Sequence, residues 1–235
     1  MFMMRLIGFV TAIMMAIASG YPPHSAGESD KPMIALTFDD GPSRYTEYIL
    51  DLLEEHGGQA TFFVLGYRVM PHRSTVQRTI DIGSEVLGHT WSHRQLTRLS
   101  EEQLKFDLRR TSAVIEALTG IPQYIYRPPY GAINDEVLRV SEELGYSVVL
   151  WTVDTLDWRY RCAETIYNAV MDGAQDGAVV LMHDIRQTTA QAMRYVIPRL
   201  IEEGFRLVTV SEILYHVYGE LEPGRIYMDY RENRS

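Results

Sequence analysis

A single cysteine, Cys162, rules out any intramolecular disulfide. Nothing beside it suggests an activated thiolate, so it reads as a small buried hydrophobe. Basic residues are scarce as well. Lys and Arg total 22 against 31 Asp and Glu, for a formal net charge of −9. A chain this acidic is a poor general binder of nucleic acid or anionic lipid, and neutral or cationic partners are expected. No apolar run reaches the ~20 residues that a membrane-spanning helix needs. Internal repeats and low-complexity tracts are also missing. With 46% hydrophobic and 23% charged residues, the composition excludes a mostly disordered chain, a coiled coil and a collagen-like repeat. A length of 235 residues favours one domain.

The first residues have the layout of a secretory signal peptide. Arg5 precedes the apolar run Leu6–Ala18, which ends in the small-residue pattern Ala16-Ile17-Ala18. The expectation is a leader over 1–18 and a secreted, cell-wall-associated product; the alternative is an uncleaved N-terminal membrane anchor. Residues 19–31, with two prolines, Ser, Gly and charges, read as a linker. A catalytic domain is expected over 32–218, and the polar, tyrosine-containing 219–235 as a tail draped over the surface.

Short apolar runs then alternate with amphipathic stretches. Strands are expected at Met33–Phe38, Ala60–Leu65, Glu85–Gly88, Tyr124–Tyr126, Ser147–Val153, Ala178–Met182 and Arg206–Val208. Helices are expected at Tyr45–His56, Val69–Ile82, Ser100–Leu118, Asn134–Leu144, Ala163–Met171 and Thr188–Glu203, with a last short one capped by Ser211. Ser100 and Gln103 have capping-box spacing, and Gly57, Gly120 and Gly145 stand at helix ends. Strict alternation of strand and helix means parallel strands with right-handed crossovers. A doubly wound sheet and a closed barrel both satisfy it.

The polar residues that interrupt this pattern choose one place. Asp39-Asp40, His89, Arg127, Asp154 and His183-Asp184 all follow the apolar part of a predicted strand. In a parallel α/β fold those C-terminal ends converge on one face, where active sites form. His89 and His93 stand at i and i+4, within reach of one cation if a helical turn carries them. Asp40 would complete a set of two imidazoles and one carboxylate, leaving a position open for water. Two-His, one-carboxylate sets take zinc but also cobalt or iron. Asp39 is then free as a base. A guanidinium favours the charged form of a neighbouring carboxylate, which gives Arg127 a role in holding it. His183 becomes a general acid if a carboxylate such as Asp157 raises its pKa.

These residues sit in motifs that resemble those of the polysaccharide deacetylases, the carbohydrate esterases sharing the NodB homology domain. The matching segments are Thr37-Phe38-Asp39-Asp40-Gly41-Pro42, Ala60–Gly66, His89–His93, Arg127-Pro128-Pro129-Tyr130-Gly131, Asp154-Thr155-Leu156-Asp157-Trp158 and Leu181-Met182-His183. They run in family order over nearly the whole chain after the leader. The resemblance implies a distorted (β/α)7 barrel of parallel strands and a divalent metal, Zn2+ or another such as Co2+. It implies Asp40, His89 and His93 as ligands, Asp39 as base, Arg127 as its partner and His183 as general acid. Asp157, or failing it Asp154, would partner His183. Trp158 and Leu181 would wall the acetyl methyl, and the backbone N–H of Tyr130 would meet the oxyanion. The implied reaction is N-deacetylation of a polymer containing N-acetylglucosamine, such as peptidoglycan or chitin-type oligomers. An O-acetyl esterase acting on xylan and a non-catalytic glycan-binding module are the alternatives.

Overall fold

A computed structural model describes residues 31–228, so the expected leader and nearly all of the linker lie outside the described residues. None of the described helices is long and apolar enough to cross a membrane. The strands are β1 (Met33–Asp39), β2 (Thr61–Val64), β3 (Glu85–Gly88), β4 (Ile125–Tyr126), β5 (Ser147–Val149), β6 (Val153–Asp154), β7 (Ala178–His183), β8 (Arg206–Leu207) and β9 (Ile226–Tyr227). All pairings among them are parallel. The order is β6-β7-β1-β2-β3-β4-β5-β9, with β8 beside the start of β1.

The expected strand over Ser147–Val153 is broken, and the break defines the architecture. Its first part, β5, pairs with β4, while its last part, β6, pairs with β7 at the other end of the sheet. One continuous segment thus supplies one end strand, β6, and the next-to-last strand at the other end, β5, and Leu150–Thr152 carry the chain between them. The result is a curved half-barrel, distorted where the ladder between β5 and β6 is missing. The C-terminal residues correct the expected surface tail. Ile226–Tyr227 add a strand beside β5, and Tyr227 is buried.

Side-chain alternation explains what faces inward. Along β1, Ile34, Leu36 and Phe38 join the core beneath the outer helices, with Phe62, Val64, Val180 and Met182 from β2 and β7. Met33 and Ala35 face the other way, into the barrel, with Phe63, Leu87, Ile125, Val149 and Val179. Asp39 continues that second set by the period of two, and so does His183. In β1 and β7 the polar ending is therefore the inward face of a strand that has run out of apolar residues. Each fully buried Leu, Ile or Phe in these layers stabilises the fold by ~1.5–3 kcal/mol before entropy is counted.

Helix ends follow the sequence closely. Ser100 and Gln103 form the expected capping box, and Gly57, Gly120 and Gly145 close their helices with left-handed φ. Four expectations fail locally. The helix foreseen over Val69–Ile82 is two, Gly66–Val69 and Arg73–Asp81, because Pro71 lacks the N–H that would continue it. The last helix, Val210–Tyr218, is capped by Thr209; Ser211 instead donates its hydroxyl to the buried Glu85. His89–His93 do not form a helical turn. Cys162 is exposed at the start of Ala163–Gly173, where hydrogen bonds from the following turn lower its pKa.

Candidate active site

Strand register assembles the site. Asp39 is paired in register with His183, and Gly88 with Tyr126. His89 and Arg127 each lie one residue beyond that second pair, so four polar residues arrive at the same level of the barrel mouth.

Asp39 is nearly fully buried. The equally buried Arg127 donates from Nη1 to Asp39 Oδ1 at 2.8 Å and to Thr37 Oγ1 at 2.7 Å. Its Nη2 donates to the Leu150 carbonyl at 2.8 Å. The guanidinium carbon lies 4.0 Å from the Phe63 ring centroid, a cation–π contact that recovers part of what the charge loses on leaving water. Burial pushes the Arg127 pKa down and Asp39 opposes the shift. Arg127→Met should therefore destabilise the protein by about 3–5 kcal/mol, since it strands a buried carboxylate. Urea unfolding measures this. Adding Asp39→Asn to the same chain should recover most of the loss, and additive losses would show that the two do not act as a pair.

Asp40 turns away from its neighbour because its backbone is left-handed, at φ 75°, a conformation that aspartate tolerates better than most residues. Gly41 follows of necessity: a Cβ there would fall 2.2 Å from Asp184 Oδ2. Two adjacent carboxylates thus diverge. Asp40 Oδ1 lies 3.3 Å from His93 Nε2 and 3.7 Å from His89 Nε2, and it is buried without a hydrogen-bond partner. One ligand atom from each of Asp40, His89 and His93 lies within 4.8 Å of the others.

The two histidines are aimed by groups outside that triangle. His89 Nδ1 meets the Arg127 carbonyl at 2.7 Å, which requires the proton on Nδ1 and leaves the Nε2 lone pair facing Asp40. Burial lowers the His89 pKa, favouring the neutral, metal-binding imidazole. His93 reaches the same place through a turn, in which Thr90 and His93 both have positive φ and Thr90 Oγ1 accepts from His93 N–H at 3.1 Å. On its other side, His93 Nδ1 lies 3.2 Å from the Tyr130 hydroxyl, with the Tyr130 ring edge-on. An orphaned buried carboxylate oxygen, one imidazole of fixed tautomer and a second held beside it form a donor set suited to a divalent cation.

Across from it, His183 Nδ1 lies 2.7 Å from Asp157 Oδ1. Asp157 Oδ2 accepts from the His183 backbone N–H at 2.8 Å and from Thr189 Oγ1 at 2.6 Å. Burial alone would lower the His183 pKa, but the hydrogen bond and charge of Asp157, with Asp39 and Asp40 beyond, raise it to about 9. Asp154 does not touch His183; it is exposed and accepts from the Leu156 N–H. Tyr130 is exposed with φ 63°, Trp158 is half-exposed and Leu181 is buried.

Sequence reasoning missed three contributors, and placed a fourth, Asp184, at a strand end without a role. Thr37 lies on the inward face of β1 and braces Arg127. Thr189 completes the acceptor set of Asp157. The Tyr130 side chain aims His93. Asp184 is fully buried against Gly41, accepts from Thr46 Oγ1 and keeps Oδ1 unpartnered. Burial raises its pKa to about 7. A period-two reading of Met33–Asp39 was enough to find Thr37; the roles of the others depend on how loops and the helix Gln187–Glu202 meet the strand ends, which the sequence pattern does not encode.

Known proteins resemble this chain in both sequence and fold. A family model described as polysaccharide deacetylase matches residues 26–149. The chain is 42% identical over 203 residues to the peptidoglycan-N-acetylglucosamine deacetylase PgdA of Listeria monocytogenes, covering 86% of this chain and 42% of that protein. It therefore spans about two fifths of that relative's length. It is 37% identical over 214 residues to a chitooligosaccharide deacetylase of Rhizobium leguminosarum bv. trifolii, covering 84% of this chain and 98% of the relative. The structure of the peptidoglycan deacetylase PdaC from Bacillus subtilis superposes with a TM-score of 0.75 at 44% identity, over 78% of this chain and 90% of the other.

Proposed function

The chain belongs to the polysaccharide deacetylase family, and on that footing we propose that it is a metal-dependent hydrolase removing N-acetyl groups from a wall polysaccharide that contains N-acetylglucosamine. The observation that carries this reading is the convergence of Asp40, His89 and His93, with Asp39–Arg127 on one side and His183–Asp157 on the other.

Asp40, His89 and His93 would hold the cation, Zn2+ being the natural choice for two imidazoles and a carboxylate. When bound, such a cation supplies Lewis acidity, polarising the acetamide carbonyl and acidifying water. Asp39 accepts the proton of the attacking water, and the hydrogen bond from Arg127 holds it in place. The Tyr130 N–H donates to the oxygen on which negative charge develops. An amine is a poor leaving group, and His183, protonated through its contact with Asp157, delivers a proton to the departing nitrogen. Trp158 and Leu181 border the acetyl methyl. The products are acetate and a free amine.

Acetate release measured on chitooligosaccharides, peptidoglycan and acetyl-xylan tests the proposal. Release from an N-acetylated glycan, stopped by a chelator and restored by zinc, is expected. Release from acetyl-xylan alone would identify an ester hydrolase instead, and glycan affinity without turnover in zinc-loaded protein would identify a binding module.

A further inference from the structure

The turn that brings His93 beside Asp40 is strained. Thr90 has φ 66° and His93 φ 61°. For Thr90, which is β-branched and buried, a positive φ is a genuine outlier, and such backbone persists only where its surroundings over-determine it. The polar groups of the turn show what those surroundings are. The Thr90 carbonyl accepts from the Gly66 N–H at 3.0 Å, and the Trp91 carbonyl from the Tyr67 N–H at 3.2 Å. Both donors are backbone groups supplied by the neighbouring loop. The Trp91 N–H is held differently. It donates to Asp107 Oδ1 at 2.7 Å, a side chain on the helix Glu101–Thr119.

Asp107 is a costly residue to keep there. It is 5% exposed. Burial raises its pKa, and the Trp91 N–H and the charges of Arg94 and Arg110 oppose the shift. A helix face that needed only packing would carry an apolar residue, as this one does at Leu104, Leu108 and Ile115. Arg110 lies one turn further along the same face. Its guanidinium carbon stands 3.4 Å from the Trp91 ring centroid and 5.8 Å from that of Phe106. A Cβ on Gly66 would fall 2.6 Å from Trp91 Cε3, so the indole packs directly on that backbone. The helix thus holds Trp91, midway between the two histidines, by its backbone and by its ring.

Resting on the metal-dependent reading above, we propose that Asp107 is a positioning residue of the metal centre. Its carboxylate fixes the Trp91 N–H and so keeps the turn in the left-handed form that aims His93 Nε2 at the cation. Without that acceptor the N–H loses its partner, the turn relaxes toward ordinary backbone, and His93 swings away. His89, tied to the Arg127 carbonyl, stays. Metal affinity falls while the fold remains.

Zinc affinity of the intact chain, measured by competition with a chromophoric chelator, is the direct test. Asp107→Leu should bind zinc about 10–100-fold more weakly than the parent protein. Asp107→Asn keeps an oxygen that accepts the same N–H and should recover most of the affinity. Ile115→Ala loosens the same helix about two turns away, at a fully buried position, and should leave zinc affinity unchanged. Equal loss in Ile115→Ala would assign the effect to helix packing and overturn the inference. So would unchanged affinity in Asp107→Leu, or an asparagine variant as weak as the leucine one. Hydrogen exchange adds a readout that needs no variant to fold. In the metal-free parent the Trp91 amide should exchange at least about tenfold more slowly than an unprotected amide, and exchange at the unprotected rate would overturn the assignment. Zinc bound without acetate release from any glycan would overturn the deacetylase reading and leave the role of Asp107 standing. A parent protein that binds no zinc overturns both.

Discussion

His89→Ala should leave the purified protein without metal and reduce acetate release on the order of a thousandfold or more. The first effect follows from geometry. Among the described residues, only three side chains offer ligand atoms to the common point, so removing one leaves Asp40 and His93 as a two-donor site, too few to retain a cation against water. The second follows from what the cation contributes, several kcal/mol of transition-state stabilisation, or on the order of 10³-fold in rate. Metal content measured by plasma emission and kcat/KM measured on one substrate should fall together. Tyr130→Phe supplies a graded comparison. It removes the hydroxyl 3.2 Å from His93 Nδ1 without removing a ligand, and losing such a partner weakens affinity by about 10–100-fold. Excess zinc should restore Tyr130→Phe and fail to restore His89→Ala. Full metal content in His89→Ala would refute the ligand assignment.

How the sequence encodes this site differs from residue to residue. Asp39 and His183 were legible because β1 and β7 alternate strictly, and a polar residue that ends such a strand in phase must face inward. His89 and Arg127 were legible as strand endings, although only the Gly88–Tyr126 register shows that they arrive side by side. His93 was found for a reason that proved wrong. Its i+4 spacing suggested a helical turn, yet the chain reaches His89's side through a turn with two left-handed residues. Periodicity cannot reveal such backbone: β-branched Thr90 gives no sign of positive φ, and histidine, though enriched there, adopts it in few of its occurrences. The choice between Asp154 and Asp157 depended on the path after β6, where Leu156 has φ 52° and redirects the chain. The divided strand was invisible for another reason. Ser147–Val153 is apolar but for Ser147 and Thr152, and pairing partners are not written into such a run. Polar residues at strand ends were thus readable, and the loops that aim them were not.

His183→Ala should keep its metal and lose turnover by about 10²–10⁴-fold, the range in which a positioned general acid contributes. None of its atoms belongs to the ligand triangle, so metal content should match the parent protein, in contrast to His89→Ala. Equal metal loss in the two variants would refute the division of roles. The pH profile separates catalysis from packing. His183 acts as an acid only while protonated, and its pKa is raised from the ordinary imidazole value to about 9. Turnover that depends on it persists through neutral pH and falls as pH rises through the pKa. A cation bound to Asp40, His89 and His93 adds positive charge nearby, so the basic limb of the loaded enzyme should lie below 9. Asp157→Asn shifts it further. The amide keeps an oxygen for the His183 N–H but removes the charge, and burial then lowers the His183 pKa unopposed by its principal partner. The limb should move down by at least one pH unit, with zinc content unchanged. Stability moves in the same sense. A histidine whose pKa is raised on folding stabilises the native state fully below its unfolded pKa, near 6.5, and loses that contribution as pH climbs through the folded value. The pH dependence of urea unfolding in metal-free protein should therefore weaken between about 6.5 and 9 when Asp157 becomes asparagine. An unmoved basic limb in Asp157→Asn would assign that limb to another group and leave His183 without its role as acid.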